Sequence, residues 1–308
     1  MTLNRLPDSV TQPASDSGNG RFATLTFERE VAAPVDTLWE VWTAPAARAV
    51  WAAPSDSVTV EFLETDLRAG GREISLCRED GQPDIRCECG WLALQPSLRS
   101  INYEVISSDG EMLSVALVTA DFSGAKDRSR LVVTVQLSSM GRNMEAGYRD
   151  GFGAGLDNLS GAAERTMILQ RVIKAPRSIV WGAWMNNETL PEWWGPDGFS
   201  CRTTRIDLRA GGEWVFDMIG PDGTVFPNHH RYNEVRPEER LGYSLHWGEN
   251  GPKHADAWAS FEDQGGDTKV TLGMVFSTAA EFQQARGFGA VELGLQTLGK
   301  LERFVQHR

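Results

Sequence analysis

The chain repeats itself, and that repetition limits its fold more than any other feature. Ala33-Pro34 recurs as Ala175-Pro176, Trp39 as Trp181, Trp42 as Trp184 and Trp51 as Trp193, each 142 residues later. The LRAGG run at 67–71 recurs at 208–212, offset by 141, and Gly155-Leu156 recurs as Gly294-Leu295, offset by 139. A slowly drifting offset is what two homologous domains with small loop differences produce. Residues 21–164 and 165–308 are therefore read as two copies of one domain, preceded by an arm, residues 1–20.

The arm is rich in Ser, Pro, Asn, Gly and Asp and has too little apolar surface to offset the entropy of ordering, so it is expected to be disordered. A net charge of −12, with Lys and Arg scattered, argues against nucleic acid and anionic membrane as partners. No apolar run approaches the ~18 residues of a membrane span and no signal-peptide core is present, so the expected location is cytoplasmic. Four cysteines in such a chain are expected to stay thiols.

Each unit reads as one strand, two short helices, six strands and one long helix. Pro34 and Pro176 sit where a strand stops and a first helical turn begins, because proline lacks a backbone N–H and presets φ. In the second unit, period-two alternation gives strands near 166–174, 201–208, 213–219, 225–235, 241–247, 255–262 and 269–276. A long helix from about Ala279 carries apolar residues at 288, 291, 295, 298, 301 and 305 as one stripe.

Alternation also points to a candidate pocket. Trp214, Phe216 and Met218 share one strand face, as do Tyr243, Leu245 and Trp247, while Ala257 and Ala259 would leave room beside them. With Trp193 and Trp194 on the second short helix and Phe288, Val291 and Leu295 on the long one, they form the expected lining of an apolar site in unit two. The competing reading is an ordinary aromatic core. In unit one Glu73, Ser75 and Cys77 take the places of Trp214, Phe216 and Met218. Either that interior is polar or the strand faces the other way.

Helix glycines (Gly151, Gly153, Gly155; Gly287, Gly289, Gly294) cost roughly 1 kcal/mol each against Ala and need a reason, either room beside the sheet or close helix–strand packing. Cys77 shares a face with Cys87 and Cys89 if the hairpin centres on Gln82, and not if it centres on Asp80-Gly81. Unit one has no histidine to complete a metal site, and neither metal nor cofactor is expected. The five histidines (229, 230, 246, 254, 307) all lie in unit two. His229 and His230 are expected to face opposite ways, and His246 and His254 to be exposed. An inward histidine could serve as a general acid–base. No phosphate-binding glycine loop, nucleophile elbow or HExxH motif is present, and no catalytic residue is assigned.

The Ala-Pro pair, W..W at 181–184, WWGP.GF at 193–199, LRAGG.W at 208–214, PDG at 221–223 and PEERL at 237–241 together resemble the SRPBCC (START, helix-grip) superfamily. Within it, the resemblance is to the branch homologous to the activator of the heat-shock chaperone ATPase. The resemblance implies an α+β fold: two tandem helix-grip domains, each a curved antiparallel sheet around a long C-terminal helix, with two short helices after the first strand. It also implies a cavity between helix and sheet, and hence non-catalytic binding of a hydrophobic small molecule, mainly in unit two. A polyketide cyclase/aromatase- or hydratase-like enzyme is the alternative, and a chaperone-interaction module ranks third.

Overall fold

A computed structural model describes residues 9–11, 20–125, 127–141 and 143–307. The chain divides after Glu164 into two compact units. Unit one runs β1 (Ser9–Thr11), β2 (Gly20–Val31), α1 (Val35–Thr43), α2 (Pro45–Trp51), β3 (Val58–Thr65), β4 (Arg72–Glu79), β5 (Ile85–Gln95), β6 (Arg99–Ser108), β7 (Glu111–Gly124), β8 (Ser129–Met140) and α3 (Glu145–Ala163). Unit two repeats the plan with β9 (Thr166–Ile173), α4 (Arg177–Trp184), α5 (Leu190–Trp193), β10 (Ser200–Ile206), β11 (Glu213–Ile219), β12 (Val225–Arg236), β13 (Arg240–His246), β14 (Lys253–Asp263), β15 (Thr268–Phe276), α6 (Ala279–Gly287) and α7 (Ala290–Gln306).

Both sheets are antiparallel throughout and, apart from the added β1, share one topology. The order is β1-β2-β8-β7-β6-β5-β4-β3 in unit one and β10-β11-β12-β13-β14-β15-β9 in unit two. Bulges at Phe62/Glu64 and Trp91/Ala93 recur at Thr203/Arg205 and Tyr232/Glu234. A bulge bends its strand and increases local twist, so the two sheets curve at matching places. The long helices pack on equivalent strands, α3 on β2 and α7 on β9.

The repeated motifs have repeated chemistry. Pro34 and Pro176 cap α1 and α4 with the same backbone angles, φ −57° and ψ 148°. Gly70 and Gly211 both sit at φ +81°, the left-handed region that glycine enters without a Cβ penalty. A Cβ at the next residue, Gly71 or Gly212, would lie 2.0 or 2.3 Å from the Asp66 or Asp207 carbonyl oxygen. The Trp51 indole donates to Val41 O at 2.9 Å, and its counterpart Trp193 donates to Ala183 O at 3.0 Å.

Two expectations change. Within the arm, Ser9–Thr11 pairs antiparallel with β2, while residues 1–8 and 12–19 lie outside the described residues. A short segment containing Val and Thr suits a strand, and the open edge of β2 offers unpaired N–H and C=O groups to receive it. The long helix of unit two is not continuous. Gly289, at φ +87°, separates α6 from α7, and the apolar stripe is rephased across that break. Among the described residues no helix is long and apolar enough to cross a membrane.

Candidate functional site

The aromatic set of unit two is packed against itself. Trp193, Trp194, Trp214, Phe216 and Tyr243 are all buried in one core cluster. Trp214 stacks on Phe216 at 3.7 Å between centroids, and Trp194 meets Trp184, Trp193 and Trp214 edge-on at 5.5–5.9 Å. The His230 ring fills the centre, stacked on Tyr243 at 5.0 Å and edge-on to Trp194, Trp214 and Phe216. Beside Ala257 and Ala259, Trp181 and Trp184 close on Phe261, each at 5.3 Å.

The remaining candidates divide. Met218 and Val291 are half-buried against the core. Trp247 lies beyond the end of β13, is 54% exposed and stacks on His254 at 4.3 Å. Phe288, at the C-terminal end of α6 and 64% exposed, and Leu295, exposed on α7 while its Leu298 and Leu301 are buried, point away from the core. Trp247, Phe288 and Leu295 therefore do not join the buried aromatics. The space that the glycine at 294 could have left is also filled, since a Cβ there would lie 2.3 Å from Leu169 Cδ1.

The histidines also differ in part from expectation. His229 and His230 do face opposite ways, His230 packing on Trp214 and Phe216 and His229 placing Nε2 2.6 Å from Glu213 Oε2, but both are buried. Burial, with His254, His229 and His246 nearby, pushes His230 down to about 3, so it stays neutral and is a poor proton acceptor at neutral pH. His246 and His254 are half-buried rather than exposed.

Unit one is different inside. A cavity of about 590 Å³, partly open to solvent, lies between α3 and the sheet. Gly147, Gly151 and Gly155 line it from the helix, and a Cβ at Gly147 or Gly151 would meet no atom within 4 Å. Here the glycines leave room, whereas in unit two Gly294 serves close packing. Glu73, Ser75 and Cys77 all line the cavity, so the strand keeps its facing and the interior carries polar groups. Apolar walls come from Trp42, Trp51, Val60, Phe62, Ile106 and Phe152.

The polar groups form a defined set. Arg48 on α2 donates to both oxygens of Glu73, the Oε1 contact being 2.5 Å. Glu73 is 1% exposed and also accepts from Trp91 Nε1 and Thr65 Oγ1, each at 2.9 Å. The Arg48 guanidinium lies 4.8 Å from the Phe62 ring centre and 5.2 Å from that of Trp91, within cation–π range. On β6, Glu104 faces the cavity and accepts from Asn102 Nδ2 at 3.4 Å. Burial lifts Glu104 to about 6, against the opposing pull of Asn102 and Arg48. Across from it, Tyr148 and Ser114 share a hydrogen bond at 3.3 Å.

The three thiols face this space. Cys77 pairs with Ile85, Ser75 with Cys87 and Glu73 with Cys89, a register centred on Gly81 rather than on either position expected. Cys77, Cys87 and Cys89 consequently share the cavity face. Burial and the charge of Glu104 raise all three above the ordinary thiol range, so they remain protonated. Among the described residues no group of three or more His, Cys, Asp or Glu side chains is arranged to hold a metal.

Sequence reasoning passed over Arg48, Trp91, Asn102 and Glu104. The available signal was a charge at an inward position of a strand, because Asn102, Glu104 and Ile106 alternate on one face of β6.

A family model described as Activator of Hsp90 ATPase homolog 1-like protein matches residues 32–164 and again residues 174–306. None of the curated proteins matches the chain. Similar solved structures include a protein of Nitrosomonas europaea, 27% identical with a TM-score of 0.42, covering 47% of this chain and 96% of its own. A protein of Arthrobacter aurescens is 18% identical, with a TM-score of 0.44 and coverage of 48% and 89%. One of Rhizobium loti is 24% identical, with a TM-score of 0.42 and coverage of 46% and 98%. With both halves of its length matched in turn, the chain belongs to the Activator of Hsp90 ATPase homolog 1-like family and carries the family's domain twice.

Proposed function

We propose that this protein binds a hydrophobic small molecule without chemical turnover, and that the site is the cavity of unit one. The observation that carries this reading is the pair Gly147 and Gly151, which line the cavity from α3 and where an added Cβ would meet no atom within 4 Å. A well-packed helix gains roughly 1 kcal/mol from Ala at such a position, so open glycines over an apolar-walled cavity favour use of the space. The aromatic run makes unit two the site expected from sequence. The stacking around His230 argues for its being core, and the site moves to unit one.

The test is native mass spectrometry of gently purified full-length protein, beside the variant Gly151→Leu. The wild type should carry a small lipophilic molecule. The variant, with a side chain in the cavity, should fold and carry none. Equal loading of both would reject the site.

One observation favours a second reading. Glu104, lifted to about 6 inside a ligand-sized cavity, is a carboxyl suited to general acid–base chemistry in a cyclase- or hydratase-like enzyme. Recovery of a chemically altered molecule from the cavity, dependent on Glu104, would favour that reading. The family's name also admits a chaperone partner, which a pull-down with the heat-shock chaperone would test.

A further inference from the structure

The charges facing the unit-one cavity do not balance. Arg48 Nη1 is held by both oxygens of Glu73, and the guanidinium, flanked by Phe62 and Trp91, only partly offsets the burial of Glu104. Glu104 has no cation of its own. Among the described residues its one hydrogen bond comes from Asn102 Nδ2, at a long 3.4 Å. The other titratable groups bearing on it are Cys77 on β4, Cys87 and Cys89 on β5, and Tyr148 on α3. Burial raises the pKa of each, so they stay protonated and neutral. Arg78 and Glu79 also line the space, Arg78 being paired with Glu61 and Asp84, so an ionised Glu104 leaves the lining with two positive and three negative groups.

A carboxylate is an acceptor with about four lone-pair sites, and most of those on Glu104 are unfilled. In an apolar-walled space such a group favours an occupant that supplies both a donor and a positive charge. A carboxylate ligand would meet Glu104 as a like charge. A neutral alcohol could donate one hydrogen bond but would leave the charge uncompensated.

We propose that the ligand of unit one is a hydrophobic amine, its apolar body lying along Gly147 and Gly151 and its ammonium group donating to Glu104. This rests on the reading that the cavity binds a small molecule, and it adds the class of molecule. Arg48 then acts as the fixed counter-ion that keeps Glu73 from competing for the ligand's charge.

The experiment is calorimetric titration of the full chain with three probes sharing one body: 1-naphthylmethylamine, 1-naphthylmethanol and 1-naphthoic acid. A charge-assisted hydrogen bond in a desolvated site should make the amine bind at least about tenfold more tightly than the alcohol, with the acid weakest. In Glu104→Gln the amine's advantage should vanish while the alcohol binds as before. In the wild type, amine affinity should fall several-fold from about pH 7.5 to about pH 5 as Glu104 takes up its proton, with alcohol affinity unchanged. That measurement stands even if the variant fails to fold.

Alcohol or acid binding as tightly as the amine, or an amine preference that survives Glu104→Gln and low pH, would overturn the proposal and leave the cavity reading intact. No binding of any probe, or equal binding by Gly151→Leu, would instead reject the cavity itself.

Discussion

Glu104 puts a pH-sensitive group inside a folded domain. Its folded-state value of about 6 lies above the ordinary 4.5, so the native state holds the proton more tightly than the unfolded chain does. Its stabilising contribution is complete below pH 4.5 and is lost as pH rises through about 6. The difference of about 1.5 pH units corresponds to roughly 2 kcal/mol. Urea unfolding of wild type and Glu104→Gln between about pH 4 and pH 7 checks this. Wild type should lose stability relative to the variant as pH rises, and an unchanged difference would contradict the account. The carboxylates held low by surface partners, such as Glu28 beside Arg130, act in the opposite sense and cancel in the comparison. The sequence signal for this residue was weak, because the alternation that places Glu104 with Asn102 and Ile106 does not by itself say which face of the strand is solvated.

At the level of elements, the two long helices use glycine for opposite ends. Gly151→Ala places a methyl where no atom lies within 4 Å and removes a helix glycine, so unit one should gain roughly 1 kcal/mol. Gly294→Ala puts its methyl 2.3 Å from buried Leu169 Cδ1, and overpacking should offset the helix gain or exceed it by about 1 kcal/mol. Urea midpoints of the two variants should therefore move in opposite directions, or Gly294→Ala should not move at all. The strands were legible because alternation, turn glycines and the repeat all agreed: β11 and β15 fall within a residue of their expected bounds. The α6–α7 break was not, because counting apolar residues carries a stripe straight through Gly289 while a left-handed φ resets its phase. Alternation also told which side of β11 faces inward, but not that His230 would fill the space before it.

Over the whole molecule, two copies of one frame have taken different interiors. Residues that the backbone requires, such as the Pro34/Pro176 caps and the Gly71/Gly212 turns, are the same in both, while those facing the middle have changed character. A ligand that binds only the folded state stabilises by about 2.7 kcal/mol at a hundred times its dissociation constant. Hydrogen exchange read peptide by peptide with a bound amine should show that gain in unit one and none in unit two, and equal protection in both would contradict a single site. The matched indoles extend this. Trp51 and Trp193 occupy equivalent positions, each tied by its ring N–H to the equivalent carbonyl, yet one borders the cavity and the other is sealed in the core. The protein thus carries its own reference cell: with fluorine on the indoles, the resonance of Trp51 reports occupancy while that of Trp193, in the same tube and the same buffer, supplies the blank.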